Sequence, residues 1–150
     1  MMEKVICNNR KAYYEYEILE TYEAGIQLLG TEVKSLRIHH GSLDHSFAQI
    51  LKQEAFLMNS NIEQYSFGNR MNHEPTRTRK LLLHKTEIVR LLSKTKEKGL
   101  TIVPLKLYFK SGKVKVELGL AKGKKIHDKR ETIKKKINER EAGRVMKQYR

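Results

Sequence analysis

The charge on this chain is unevenly spread, and that limits where a core can form. From Lys122 to Arg150 there are twelve Lys or Arg and four Asp or Glu, a balance of +8 out of the +14 carried by all 150 residues. The same stretch has few large apolar side chains: Ile126, Ile133, Ile137, Val145 and Met146. So little apolar area does not offset the entropy of ordering the segment. The chain therefore reads as one folded body over residues 1–121 and a basic tail over residues 122–150. The tail is expected to be disordered when free and to fold on a polyanion.

Several classes of protein are excluded at this point. No apolar run approaches the roughly 18 residues of a membrane span. Residues Met1 to Arg10 lack the apolar core of an export signal, so the expected location is cytoplasmic. Cys7 is the single cysteine and has no partner for an internal disulfide, which fits a reducing compartment. A surplus of +14 speaks of the partner rather than of the fold. The basic stretches lack the strong apolar face of a membrane-surface helix, so nucleic acid is favoured and no membrane partner is expected. Charge alone does not separate DNA from RNA, because both present phosphates.

Along the body, β-forming residues dominate. Tyr14 to Tyr22 reads as a strand, Glu23-Ala24-Gly25 as a turn, and Ile26 to Arg37 as a returning strand bent at Gly30. A short helix within Thr31–Arg37 competes for the same residues. Ser46 to Met58 has two apolar stretches around Lys52-Gln53-Glu54, the pattern of a hairpin, and Asn61 to Tyr65 reads as a short strand. Ser66 to Thr78 is a polar loop. Ile88, Leu91 and Leu92 follow helical spacing and Gly99 is a stop signal, which predicts a helix over 86–98. Thr101–Lys110 and Lys113–Leu120 are strands joined by a two-residue turn at Ser111-Gly112. Five or six short antiparallel strands must manage their edges, and closing into a small OB-like barrel does so. A sandwich satisfies the same pattern.

Five constellations carry candidate chemistry. In Asn8 to Tyr14, Arg10 and Lys11 can hold phosphate beside a stacking tyrosine, or the stretch is a solvated arm. In Gly30 to Arg37, Glu32 and Lys34 either face a ligand together or form a surface ion pair. His39, His40 and His45 lack the spacing of a zinc site, so no metal is expected. In His73 to Lys85, Leu81, Leu82 and Leu83 read as core anchors that carry Arg77, Arg79 and Lys80 at fixed positions suited to phosphate, and His73-Glu74 lacks the spaced second histidine of a zinc-protease signature. In Ala121 to Arg130, Gly123 permits close backbone approach, Lys124 and Lys125 supply charge, and His127 offers a ring. No nucleophile elbow, phosphate-binding glycine loop or acid–base pair is visible. The chain is read as having no catalytic residues and no cofactor.

Taken together and in order, these segments resemble the small protein B family, the tmRNA-binding proteins of bacterial trans-translation. The blocks that carry the resemblance are Asn9-Arg10-Lys11-Ala12, the run Gly30 to Arg37, the run Arg77 to Lys85, Val103-Pro104-Leu105 with Leu107-Tyr108, and Gly119 to Lys125 followed by Asp128-Lys129-Arg130. The resemblance implies an OB-like β-barrel with flanking helices, a basic C-terminal tail and a monomer. It implies binding to the tRNA-like domain of tmRNA and its delivery, with elongation factor Tu and GTP, to a ribosome stalled without a stop codon. By this match, Asn9, Lys11, Glu32, Lys34, Arg79, Lys80, Leu82, His84, Lys115, Lys122, Lys124 and Lys125 contact the RNA or support the contact. His127, Asp128, Lys129, Arg130, Lys134, Lys135 and Lys136 would meet small-subunit rRNA in the mRNA channel and decoding centre, with the tail helical there. The chain departs from the family pattern at His39, where a glycine is usual, and at His45, where an acidic residue is usual. No site role is assigned to residues 38–45. A ribosomal protein or assembly factor is the rival reading, and an RNA-processing enzyme is disfavoured.

Overall fold

A computed structural model describes residues 3–67 and 72–124. In chain order the elements are β1 (Lys4–Asn8), α1 (Arg10–Glu15), β2 (Tyr16–Ile26), α2 (Gly30–Arg37), β3 (Gly41–Ser42), β4 (Phe47–Leu51), β5 (Glu54–Met58), β6 (Asn61–Ile62), β7 (Arg79–Leu82), α3 (Lys85–Lys98), β8 (Thr101–Lys110) and β9 (Lys113–Gly123). All strand pairings among the described residues are antiparallel. The main sheet runs β8–β4–β5–β7–β2–β9, and β9 pairs back onto β8, so six strands close into a ring. Closure removes the exposed edges that the sequence pattern had to resolve. Strand β1 shares one edge of β8 with β4: β4 meets it at Ala48↔Ile102, and β1 from Lys4↔Phe109 to Asn8↔Lys106. The short β3 and β6 pair separately.

Alternation fills the ring. Val114, Val116, Leu118 and Leu120 of β9 are buried with Leu57, Leu81, Leu91 and Leu107 in one core. The strand runs to Gly123, beyond the expected end at Leu120. Two tight hairpins hold the register: Lys52 and Gln53 have φ of 49° and 65°, and Ser111 and Gly112 of 52° and 75°. Left-handed backbone at both turn residues matches the right-handed twist of the strands it joins.

A second, smaller core lies between the ring and α1. Ala12 packs with Val103, Leu105 and Ala121, against Tyr16 and Ile18. It exists because two strands bulge, β2 between Ile18 and Glu20 and β8 between Pro104 and Lys106. A bulge re-aims side chains, and it also lets Pro104 sit inside a strand. Gly119 completes the packing, since a Cβ there would stand 3.1 Å from Leu105 Cδ1 and 3.2 Å from Ile18 Cγ2.

Three expectations change. Glu23-Ala24-Gly25 is not a turn but part of the eleven-residue β2, with Ala24 opposite Val116 and Gly25 opposite Lys115. The small residues there answer a packing need: a Cβ on Gly25 would meet Leu82 Cβ of β7 at 3.2 Å. Residues Gly30–Arg37 form the helix rather than the returning strand, because Glu32, Ser35 and Leu36 are buried at helical spacing. Helix α1 runs through Tyr14 to Glu15, so the strand begins at Tyr16.

Candidate nucleic-acid interface

The site is framed by a buried ion cluster. Strand alternation turns Arg79 and Leu81 inward and Lys80 and Leu82 outward. Arg79 is wholly buried, and its Nε donates to Glu32 Oε2 at 2.6 Å. Its other nitrogens donate to Ser60 O at 2.9 Å, Ser60 Oγ at 3.0 Å and Pro75 O at 3.0 Å. Glu32, equally buried, also accepts from Arg77 Nη2 at 2.6 Å and from the Leu29 amide at 2.8 Å. Burial alone pushes the Glu32 carboxyl up, but the hydrogen bonds from Arg77, Leu29 and Arg79 outweigh it and hold it below the usual carboxylate range. Two readings are thereby corrected. Glu32 is not in a surface pair, and Arg79 has no surface to offer a phosphate; both are spent on anchoring α2 to β7.

More pins hold α2. Ser35 Oγ donates to Glu63 O at 2.6 Å. The ring of buried His73 lies 2.8 Å from Ile62 O through Nε2 and 2.9 Å from Thr31 Oγ1 through Nδ1. A carbonyl only accepts, so Nε2 carries a proton and donates to it. Sequence reasoning gave His73 no role, because its partners lie 11 and 42 residues away.

On this frame sits a groove of about 550 Å³ lined by Glu23, Val33, Leu82, His84, Lys113 and Lys115, among others. It brings together three predicted residues: Leu82, His84 and Lys115. Leu82 is 47% exposed, so of the three leucines expected as core anchors only Leu81 is fully buried. Lys80 lies two residues before Leu82 on the same outward face, about 7 Å along the strand, and its ammonium is 3.2 Å from Glu54. Glu23, placed in a turn by the sequence reading, and Lys113 are among the groove residues that reading missed. Tyr108 Oη donates to Glu23 Oε2 at 2.6 Å and Lys110 Nζ lies 3.1 Å away, which together hold the Glu23 carboxyl below the usual range. Burial, then the Glu23 carboxylate, pushes the Tyr108 phenol up. A half-apolar groove with lysines on its wall and oriented acceptors in it suits a ligand that presents phosphates and base or sugar edges.

The remaining predicted residues fall elsewhere. Lys11 lines a second hollow, about 400 Å³, between α1 and the segment before β4, with Glu15, Tyr16, His45 and Phe47. Asn9 is buried and structural: its Nδ2 donates to Pro104 O at 2.9 Å and its amide to Leu105 O at 2.8 Å, capping the β8 bulge. Lys122 is exposed opposite Glu17. Lys124 bonds back to α1, its amide to Glu15 O and its Nζ to Tyr13 O, each at 3.0 Å. Lys115 and Lys122 are seven residues apart on one strand, roughly 23 Å, so the cations form two groups at opposite ends of β9. Lys34 is exposed on α2, 5.8 Å from the Tyr65 ring centroid. Lys125, His127, Asp128, Lys129, Arg130, Lys134, Lys135 and Lys136 lie outside the described residues.

The histidines do not converge. His39 Nδ1 is 3.3 Å from Ile6 O, His40 pairs with Glu63 at 3.3 Å, and His45 borders the second hollow. Among the described residues no cluster of His, Cys, Asp and Glu is arranged to hold a metal. Burial pushes the Cys7 thiol up to about 11, away from the thiolate form. No helix among the described residues is long and apolar enough to cross a membrane.

A closed antiparallel ring, a groove walled by lysines and a further cationic cluster some distance along one strand make a small β protein with surfaces suited to a polyanion. A family model described as SmpB protein matches residues 6–148. The SsrA-binding protein of Carboxydothermus hydrogenoformans is 60% identical over 97% of this chain and 98% of its own length. That of Geotalea uraniireducens is 59% identical over 99% and 98%. A solved chain from "tmRNA-SmpB: a journey to the center of the bacterial ribosome" superposes with a TM-score of 0.68 at 53% identity, covering 85% of this chain and 93% of that one. The chain belongs to the SmpB family, and its matched relatives are named SsrA-binding proteins.

Proposed function

We propose that this protein binds the tRNA-like domain of tmRNA and delivers it to ribosomes stalled on messages without a stop codon, so that the stalled peptide is tagged and the ribosome released. The observation that carries the reading is that similarity to SsrA-binding proteins runs through nearly the whole chain, the groove-forming elements included. Leu82, His84 and Lys115 supply the contact surface, and Glu23 accepts from base amino or ribose hydroxyl groups. Lys11, Lys122 and Lys124 serve the other end of β9. Asn9, Glu32 and Arg79 support the contact by fixing backbone. Lys125 continues the cationic run. His127, Asp128, Lys129, Arg130, Lys134, Lys135 and Lys136 would read the vacant mRNA channel near the decoding centre. Elongation factor Tu with GTP joins through the alanylated tmRNA, and the setting is the cytoplasm.

Two measurements test this. RNA that co-purifies with the protein from cells should be dominated by tmRNA; recovery of bulk rRNA alone would favour the ribosomal-protein reading. Replacing His127, Asp128, Lys129 and Arg130 by alanine in the full chain should leave tmRNA affinity within a few-fold and abolish peptide tagging. Normal tagging by that variant would remove the tail from the mechanism.

A further inference from the structure

Consecutive residues of α2 point about 100° apart around the helix axis. Val33 lines the groove, while the ammonium of Lys34 stands 5.8 Å from the centroid of the Tyr65 ring. Tyr65 in turn packs edge to face on Phe67, with centroids 5.5 Å apart and planes at 64°. Phe67 is 82% exposed, more than any other large apolar side chain among the described residues. A phenyl ring left that open contributes little to the core and is available to a ligand.

The tyrosine is braced rather than loose. Its amide donates to Asn72 Oδ1 at 3.3 Å, and Asn72 Nδ2 donates back to its carbonyl at 2.7 Å. The preceding residue, Gln64, donates through Nε2 to His73 O at 2.9 Å. The Tyr65 ring is thus presented on a fixed backbone, joined through α2 to the wall of the groove, with Phe67 against it.

We propose that Phe67 and Tyr65, with Lys34 beside them, form a stacking platform for an unpaired nucleobase of the same tRNA-like RNA that occupies the groove. This rests on the function proposed above and extends it to a contact on the far side of α2. Two observations select RNA over an apolar protein segment. The platform is continuous with the groove through neighbouring residues of one helix, and that helix carries the exposed Lys34 beside Tyr65 and, three residues on, the exposed Arg37, on a chain of net charge +14. An aromatic face accepts any base, and a lysine beside it takes the adjoining phosphate.

The test uses the full chain and a tmRNA transcript. Phe67→Ala should weaken binding about 5- to 150-fold, the range of one lost base–aromatic stack. Its salt dependence should be unchanged, since a phenyl ring displaces no counterions, and its Tm should be unchanged because the ring is exposed. Lys34→Ala should instead flatten the salt dependence by about one phosphate contact. The chain has no tryptophan, so Phe67→Trp provides a single indole fluorophore. That variant should retain affinity and be quenched by tmRNA but not by duplex DNA of equal length. Unchanged affinity of Phe67→Ala, or indole emission in Phe67→Trp that moves only when a ribosomal or other protein is added, would overturn the platform. If Lys115→Ala weakens tmRNA binding while Phe67→Ala does not, the platform alone falls. If the unaltered chain shows no preference for tmRNA over duplex DNA, the functional reading falls with it.

Discussion

Two glutamates in this molecule each gather two cations, and they do so in opposite surroundings. Glu32 holds Arg77 and Arg79 at 2.6 Å each, with no solvent on the carboxylate or on Arg79. Glu20 holds Arg90 at 2.6 Å and Lys94 at 3.0 Å and accepts from Tyr22 Oη at 2.6 Å, but Arg90 is more than half exposed. The distances barely differ, and both carboxyls are held below the ordinary range. What differs is the cost of losing a partner. At the surface, water and salt replace a missing ion; in the interior, nothing does. The buried cluster therefore dictates where α2 sits, and with it Val33 in the groove and Lys34 beside Tyr65. The exposed cluster ties α3 to β2 without deciding the fold.

The comparison is broken most directly by removing one buried partner. Arg79→Ala or Glu32→Ala leaves the other charge stranded and should cost about 3–5 kcal/mol, enough to lower Tm by more than about 10 °C in a domain of this size. Thermal unfolding followed by circular dichroism checks it, and a shift no larger than that of Glu20→Ala would erase the distinction. The next effect is on RNA. Glu32→Gln should weaken tmRNA binding through displacement of α2, whereas Glu20→Gln should leave it unchanged in a filter-binding titration.

Acid sharpens the contrast further. Both folded-state carboxyl pKa values are lowered, so each glutamate contributes stability that is fully present above the unfolded value of 4.5. That contribution is lost as pH falls from there through the folded value. Stability measured from pH 6 downward should fall less steeply in Glu32→Gln than in the unaltered protein. Repeating the titration in 1 M salt should remove the contribution of Glu20 and leave most of that of Glu32, because buried pairs are screened far less. The smallest expected effect is that of Glu20→Gln at neutral pH and moderate salt. It should be visible only as faster amide exchange around Arg90 and Lys94, with Tm hardly moved.

How much of this could be read from sequence depended on the range of the interaction. The Lys113–Gly123 strand, the Ser111-Gly112 turn and the 86–98 helix with its stop at Gly99 are set by neighbours within a few residues, and they appear close to where they were predicted. Glu32 and Lys34 were singled out together, yet in space they separate. One meets arginines 45 and 47 residues away, and the other faces an aromatic ring. Glu23 was misplaced for the same kind of reason. Ala24 and Gly25 carry a local turn signal, but strand β9 beside them and Leu82 against Gly25 impose an extended chain. Asn9, expected to contact the RNA or to support that contact, caps a bulge 95 residues on, a partner no local pattern reveals.

The amino-acid sequence alone pointed to a polyanionic partner and set the mostly antiparallel β character and the uneven charge, because composition and short-range periodicity need no knowledge of the fold. Only the tertiary structure decided which polar side chains face a ligand and which are consumed inside. That choice turns on burial, and burial is created by strands far apart in the chain closing into one ring.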